Sequence, residues 1–148
     1  LGMILSSSAR LASDANMNSA RWISAIYEEL KVSLGEKDHL SIFFGRLNRS
    51  DFALHYQMYG SCEAFIVSQD GKSRRLDKQG ARIHAEFQPS EQEFVVSLNP
   101  KDRIVLLSDG FVNGVGGETY LNQLFQDQLH KDPFTLVNEL SFQIIAIV

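Results

Sequence analysis

Asp109 is the residue whose position in this sequence most favours chemistry. It follows the aliphatic residues 104–107 and precedes the glycine-rich segment 110–117. A buried strand ending here would fix the direction of the carboxylate at a sheet edge, which suits a ligand for a hard cation such as Mg²⁺ or Mn²⁺. Alternatively, Asp109 opens a turn by accepting backbone hydrogen bonds, a common role of aspartate. The residues alone leave both roles open.

Composition limits the class of protein. The 148 residues, of which 44% are hydrophobic, suit one domain with one core, so we predict a single domain over residues 1–148. A net charge of -4 with mixed signs argues against a nucleic-acid partner, which would require a basic patch. No apolar run approaches the roughly 20 residues of a membrane span, and no signal-peptide pattern opens the sequence. We therefore expect a cytoplasmic protein, or the cytosolic output domain of a larger sensor protein.

Helices are predicted on both sides of a central β region. Residues 1–15 contain helix-forming residues, and residues 19–34 place apolar side chains three and four apart, with Gly35 as the C-terminal cap. Residues 117–130 repeat that spacing, and a further helix begins at Pro133. These helices must cover a sheet with their apolar faces.

The strands between them are predicted as hairpins. Residues 40–47 and 52–59 flank turn residues. Residues 63–68 and 73–77 form a second hairpin that turns at Asp70 and Gly71. In residues 52–59 we place one alternating set of side chains in the core: Phe52, Leu54, Tyr56 and Met58.

Two further strands lead to Asp109. Residues 94–98 and 103–108 are joined by a turn, and their nearly continuous hydrophobicity predicts burial on both faces. Arg74 and Arg75 are predicted to be solvated charges on an earlier strand. The order of elements indicates an α+β fold.

The C-terminal residues 144–148, IIAIV, are predicted to be a strand. A helix would then become a strand with no turn residue, glycine or proline between Gln143 and Ile144. This prediction implies that residues are omitted at that junction, and a similar omission is expected before Leu1.

The stretch NPKDRIVLLSDGFVNGVGGE resembles the "pGD…lLlySDGv.E…ge" segment of the metal-dependent serine/threonine protein phosphatases of type 2C, the PPM family. The resemblance is to the bacterial branch typified by the sporulation stage II E and stress-response phosphatases. It extends upstream through both hairpins and covers roughly residues 18–132, with the elements in the same order.

That resemblance implies a four-layer α-β-β-α sandwich of two antiparallel sheets flanked by helices. It also implies hydrolysis of phosphoserine or phosphothreonine by a water bridging two Mn²⁺ or Mg²⁺ ions, without a protein nucleophile. Asp109 would then be a metal ligand, and Gly110 would let the chain turn away from the metal. Asn113, Gly60 and Ser61 would lie near the substrate or in loops beside the site. The implied substrate is a phosphorylated bacterial regulatory protein of the anti-sigma-factor antagonist type.

The sequence departs from the family's pattern in its metal ligands. The family's other ligands come from a Gly-Asp on an N-terminal strand and from an aspartate pair before the last strand, and neither is present. Either omitted segments carry them, or the chain is a catalytically inactive module that binds a partner or dimerises. Loss of the first strand would leave an unpaired sheet edge, so homodimerisation is a further expectation.

Two single positions also depart from the pattern. Ser61 stands where the branch commonly has a histidine after the glycine, and a serine replaces neither its charge nor its reach. Asn113 stands where many relatives carry an acidic residue, which weakens the local negative charge and would lower metal affinity. The alternative is that Asn113 is an ordinary surface loop residue.

Overall fold

The computed structural model describes residues 18–35, 37–80, 82–84, 86–114, 118–128 and 130–145, with side chains described up to residue 139. The helix predicted for residues 1–15 lies outside this part of the chain. The elements within it are α1 (Ser19–Leu30), β1 (Ile42–Leu47), β2 (Ala53–Tyr59), β3 (Glu63–Val67), β4 (Ser73–Arg75), β5 (Phe94–Ser97), β6 (Arg103–Leu107), α2 (Asp109–Gly114), α3 (Glu118–Gln128) and α4 (Pro133–Ile145).

The chain divides into two compact units, and each contains one antiparallel three-stranded sheet. The first unit is Leu1–Gly60 with Asp77–Ser97, and its strands lie in the order β1-β2-β5. The second is Ser61–Leu76 with Leu98–Val148, and its strands lie in the order β4-β3-β6. The predicted α+β architecture of antiparallel sheets with helices is confirmed. None of the helices among the described residues combines the length and apolar character needed to cross a membrane.

Helix α1 covers the core of the first unit. It begins where the Asn18 side chain accepts a hydrogen bond from the Arg21 amide at 2.9 Å, which satisfies an amide that has no partner inside the helix. Its buried residues Ile23 and Tyr27 pack in a cluster with Tyr59. The helix ends at Leu30 rather than near residue 34, so the predicted cap at Gly35 is wrong. Turns follow Leu30 instead.

Strand β2 is more buried than its alternating pattern predicts. The core positions are confirmed for Leu54, Tyr56 and Met58. Phe52, however, precedes the strand at a φ of 54° and remains 46% exposed. Gln57, on the opposite face, is fully buried because its side-chain amide donates to the carbonyls of Ser90 at 2.7 Å and Gln92 at 3.0 Å. A loop therefore covers the face opposite the predicted core set.

The sheet of the second unit carries α3 on one face. Phe65 and Val67 of β3 cluster with Leu121 and Phe125 of α3, and all four are buried. The β3–β6 register runs from Glu63 opposite Leu107 to Val67 opposite Arg103, so the two strands are antiparallel over their full length. This register fixes which residues share each end of the sheet.

Strands β5 and β6 belong to different sheets, because β5 pairs with β2 and β6 pairs with β3. The prediction that both faces of these strands are buried is wrong. Val95 is 60% exposed, and Ile104 and Leu106 are 37% and 53% exposed. Each strand is the last of its sheet among the described residues, and alternate side chains point away from the packed face.

Two helical segments correct the predictions near the C-terminal end. Residues 109–114 form the short helix α2 instead of an irregular glycine-rich segment. Helix α4 runs without interruption through Gln143 and Ile144 to Ile145, so the strand predicted there is wrong for Ile144 and Ile145. Because the helix continues through Gln143 and Ile144, no turn is required there, and the predicted omission of residues stays a prediction. Residues 146–148 lie outside the described part of the chain.

Candidate functional site

Asp109 lies where β6 gives way to α2. Strand β6 ends at Leu107, and Ser108 caps the new helix: its hydroxyl oxygen accepts from the Phe111 amide at 3.3 Å and its carbonyl accepts from Val112 at 3.2 Å. Asp109 is therefore the first residue of α2, and it is exposed. Its Oδ1 accepts a hydrogen bond from the Gly110 amide at 2.9 Å. The strand and the cap together hold an exposed carboxylate at the end of the sheet.

Both interpretations of Asp109 describe part of this geometry. The hydrogen bond from Gly110 is the local backbone contact expected of an aspartate that opens a turn. The exposed position directly after a paired strand is the one expected of a metal ligand. Accepting one amide hydrogen bond is compatible with ligation, because a carboxylate has several lone-pair directions.

Gly110 is a glycine that the protein's own structure does not require. A Cβ built on it meets no described atom within 4 Å other than its two neighbours and its own helix backbone, and its φ is not positive. The chain therefore turns away from the strand by entering a helix, not through a conformation reserved for glycine. Asn113 is exposed four residues after Asp109, on the same face of α2.

Ser61 lies at the same end of the sheet as Asp109. The register pairs Glu63 with Leu107, so two residues before Glu63 correspond to two residues after Leu107. Ser61 is half-buried.

Gly60 belongs to the other compact unit and has a structural reason to be glycine. Its φ is 87°, and a Cβ there would lie 2.9 Å from the Cα of Ser41. The substrate-proximal roles predicted for Gly60, Ser61, Gly110 and Asn113 stay predictions.

An ion-pair network at this end of the sheet was missed by the sequence analysis. Glu63 is buried, and its Oε2 accepts from Arg75 Nε at 2.8 Å. Arg75 Nη1 also lies 3.9 Å from a carboxylate oxygen of Glu118, at the start of α3. The hydrogen bond to Glu63 raises the pKa of Arg75. Arg75 is exposed, as predicted, but it also binds Glu63, which was not predicted. The available signal was an acidic residue opening an otherwise apolar strand.

The described residues do not complete a metal site. Within them, no group of three or more His, Cys, Asp or Glu side chains converges to hold an ion. Glu63, the buried carboxylate at the Asp109 end of the sheet, is already bound to Arg75. Asp109 is thus one carboxylate donor, and a two-metal centre would need ligands from outside the described residues.

An apolar groove of about 580 Å³ runs beside β6. It is lined by the strand itself together with Phe111, Leu136 and Val137. Its lining offers no second carboxylate near Asp109, since Asp102 lies at the far end of the strand. The groove therefore adds packing surface to this end of the molecule but no chemistry.

Comparisons with known proteins agree with this architecture. A model of the family described as stage II sporulation protein E (SpoIIE) matches residues 1–145. No curated protein matches the sequence.

Among solved structures, the PP2C phosphatase domain with a fragment of the regulatory domain of the cell fate determinant SpoIIE from Bacillus subtilis superposes with a TM-score of 0.80 at 14% identity. The match covers 99% of this chain but 45% of that one. The phosphatase domain of the same protein presoaked with Mn gives a TM-score of 0.59 at 16% identity, covering 99% of this chain and 67% of that one. At such identities the likeness shows the fold, which is the predicted arrangement of two antiparallel sheets with flanking helices.

Proposed function

This chain belongs to the stage II sporulation protein E (SpoIIE) family, and on that premise we propose that it is a metal-dependent serine/threonine protein phosphatase. The observation that carries the proposal is the exposed carboxylate of Asp109 directly after β6. It lies in the Ser-Asp-Gly segment whose resemblance to the type 2C phosphatases suggested a ligand. The position of Asp109 at the end of a sheet supports the proposal, because a metal ligand there would be held by a paired strand.

In this proposal Asp109 provides one carboxylate for Mn²⁺ or Mg²⁺, and the remaining ligands come from outside the described residues. Oxygen ligands of this kind suit both ions. Gly110 leaves open space beside Asp109, because no described atom beyond its two neighbours and its own helix backbone lies within 4 Å of the position a Cβ would take. We assign that space to the approach of the ligand.

The proposed substrate is phosphoserine on a bacterial regulatory protein of the anti-sigma-factor antagonist type. The support is the resemblance to the sporulation and stress-response branch, and a cytoplasmic location follows from the same proposal. The chain spans less than half of one solved relative and about two thirds of another. The experiments below therefore use the full-length protein.

The test is Mn²⁺-dependent hydrolysis of p-nitrophenyl phosphate by full-length protein carrying Asp109→Asn. Loss of a metal ligand removes several kcal/mol of transition-state stabilisation, so activity should fall at least about a hundredfold. Asp127→Asn is the matched control, since Asp127 is an exposed aspartate on α3, and it should leave the rate unchanged. Wild-type activity in the Asp109 variant would contradict the assignment.

A second candidate is a catalytically inactive module with the same fold that binds a partner or dimerises. The observation favouring it is that the described residues lack a group of three metal-ligating side chains. In the same assay it predicts no Mn²⁺-dependent hydrolysis by the wild-type full-length protein. The wild-type rate therefore separates the two candidates before any variant is made.

A further inference from the structure

A pocket of about 460 Å³ lies at the end of β6 opposite Asp109. We call it the cationic pocket, and its lining residues are Gln69, Lys101, Arg103, Gln126 and His130. All five belong to the second compact unit. Each can donate hydrogen bonds, and none is acidic. This composition is unexpected in a chain whose net charge is -4.

Two turns and a helix end build the cationic pocket. The Gln69 side-chain amide donates to the Pro100 carbonyl at 2.9 Å, which ties the β3–β4 turn to the turn that precedes β6. The register of Val67 opposite Arg103 brings both turns to one end of the sheet. Gln126 of α3 and His130 beyond it close the third side. The positions of the donors are therefore set by paired strands and a packed helix.

Lys101 occupies a backbone conformation that disfavours lysine. Its φ is 71°, in a turn closed by the Asp102 amide donating to the Asn99 carbonyl at 3.0 Å. Glycine or asparagine is the usual residue at the left-handed position of such a turn. Strained non-glycine residues concentrate at functional sites, so this lysine calls for a reason beyond the turn. Its place in the cationic pocket supplies one.

Arg103 has a buried donor for which the described residues provide no acceptor. Its Nη1 is shielded from solvent and has no hydrogen-bond partner among them. A buried charged donor is costly unless it is paired. The acidic side chains of the two turns are engaged elsewhere: Asp70 pairs with Lys72 at 2.9 Å, and Asp102 accepts from the Asn99 amide at 2.8 Å. Arg103 also lines the cationic pocket, so an anion bound there would offset the charge of its guanidinium at short range.

The C-terminus of α3 explains only part of this cluster. A histidine near a helix C-terminus can hydrogen-bond the last carbonyls, which accounts for His130 just beyond α3. The helix end does not account for Lys101 in a strained turn, nor for a buried Arg103 donor without an acceptor among the described residues. A ligand explains all three residues together.

We propose that the cationic pocket binds a small oxyanion of the phosphate class. Arg103 and Lys101 supply the two charges, while Gln69, Gln126 and His130 supply further hydrogen bonds. Guanidinium groups match phosphate oxygens in a bidentate fork, and lysine acts as a point charge. Six residues of nearly extended chain place this anion roughly 20 Å from Asp109, so it is distinct from a phosphoryl group being hydrolysed there.

The test is a titration of full-length protein with inorganic phosphate, at constant pH and ionic strength and with EDTA to remove divalent ions. Calorimetry should show saturable binding, and the melting temperature should rise with phosphate but not with chloride. Binding should persist in Asp109→Asn, which separates this site from the proposed phosphatase centre. No saturable binding, or binding that disappears with Asp109→Asn, would overturn the proposal.

Lys101→Asn is the decisive variant, because asparagine tolerates the left-handed φ and the variant therefore folds. Phosphate affinity should fall at least tenfold, while the melting temperature without phosphate stays the same or rises. Lys37→Asn removes an exposed charge from the other compact unit and should change neither quantity. Equal losses of phosphate affinity in the two variants would indicate non-specific attraction. Tight binding of a phosphoserine peptide without binding of inorganic phosphate would show that the ligand is not a free oxyanion.

Discussion

The two ends of the β4-β3-β6 sheet differ in charge and in whether the backbone conformation requires the glycine found there. At the Asp109 end, the exposed carboxylate is followed by Gly110, which neither its φ nor its packing requires. At the Lys101 end, a lysine occupies a left-handed position, and the nearby Gly71 has a φ of 82° that does require glycine. At Gly110 and Lys101 the backbone conformation does not explain the residue type. Both residues lie beside a proposed ligand position.

The largest expected effect is on the ion pair at the Asp109 end. Arg75→Met leaves the buried Glu63 carboxylate without its 2.8 Å partner. Breaking a buried pair costs about 3–5 kcal/mol, and because half of the Arg75 side chain is exposed we expect about 2 kcal/mol. Urea unfolding of wild type and variant measures the change in the free energy of unfolding.

Arg74→Met is the matched control for that experiment. Arg74 is the preceding residue of the same strand, opposite Ile66, and it is exposed. Its replacement should change the free energy of unfolding by less than about 0.5 kcal/mol. Similar losses in the two variants would mean that strand charge in general, rather than the Glu63 pair, stabilises this end of the sheet.

A smaller effect is expected from Gly71→Ala at the Lys101 end. Alanine is strained at a φ of 82°, and its Cβ would lie 2.9 Å from Cγ of Gln126. We expect a loss of about 1–2 kcal/mol in the free energy of unfolding, because backbone strain and displacement of Gln126 add. Phosphate affinity should also fall, since Gln126 lines the cationic pocket. A variant as stable as wild type would show that the turn relaxes easily.

Periodicity predicted most of the fold because helices and strands bury residues at fixed spacings. Strands β1 to β6 lie within one or two residues of their predicted ranges, and so do α3 and the start of α4. The wrong predictions concern residues whose burial depends on tertiary contacts. The loop residues Ser90 and Gln92 bury Gln57, and edge positions in their sheets expose Val95 and Leu106.

The sequence predicted the position of Asp109 at the end of a strand but not the contacts around it, and its role as a metal ligand stays a prediction. A carboxylate after an apolar strand is visible in the sequence, and the structure leaves it exposed at the strand's end. The Glu63–Arg75 pair depends on a strand register, and the cationic pocket brings together residues up to 61 positions apart, from Gln69 to His130. No local sequence pattern indicates contacts between residues so far apart in the chain. Helix α2 was missed because glycines usually break helices, whereas the Ser108 cap starts one here.

The smallest effect on stability, and the sharpest test of the comparison, is Gly110→Ala. Alanine should stabilise the protein at this position, whereas it destabilises the protein at Gly71. The reason is that Gly110 is helical and its Cβ would meet no described atom within 4 Å beyond its two neighbours and its own helix backbone. Alanine in a helix is favoured over glycine, so the free energy of unfolding should rise by about 0.5 kcal/mol. Phosphatase activity should nevertheless fall, because the new methyl group occupies the space assigned to the ligand. Higher stability with unchanged activity would show that nothing approaches Gly110, and the contrast between the two ends would then reduce to backbone preference alone.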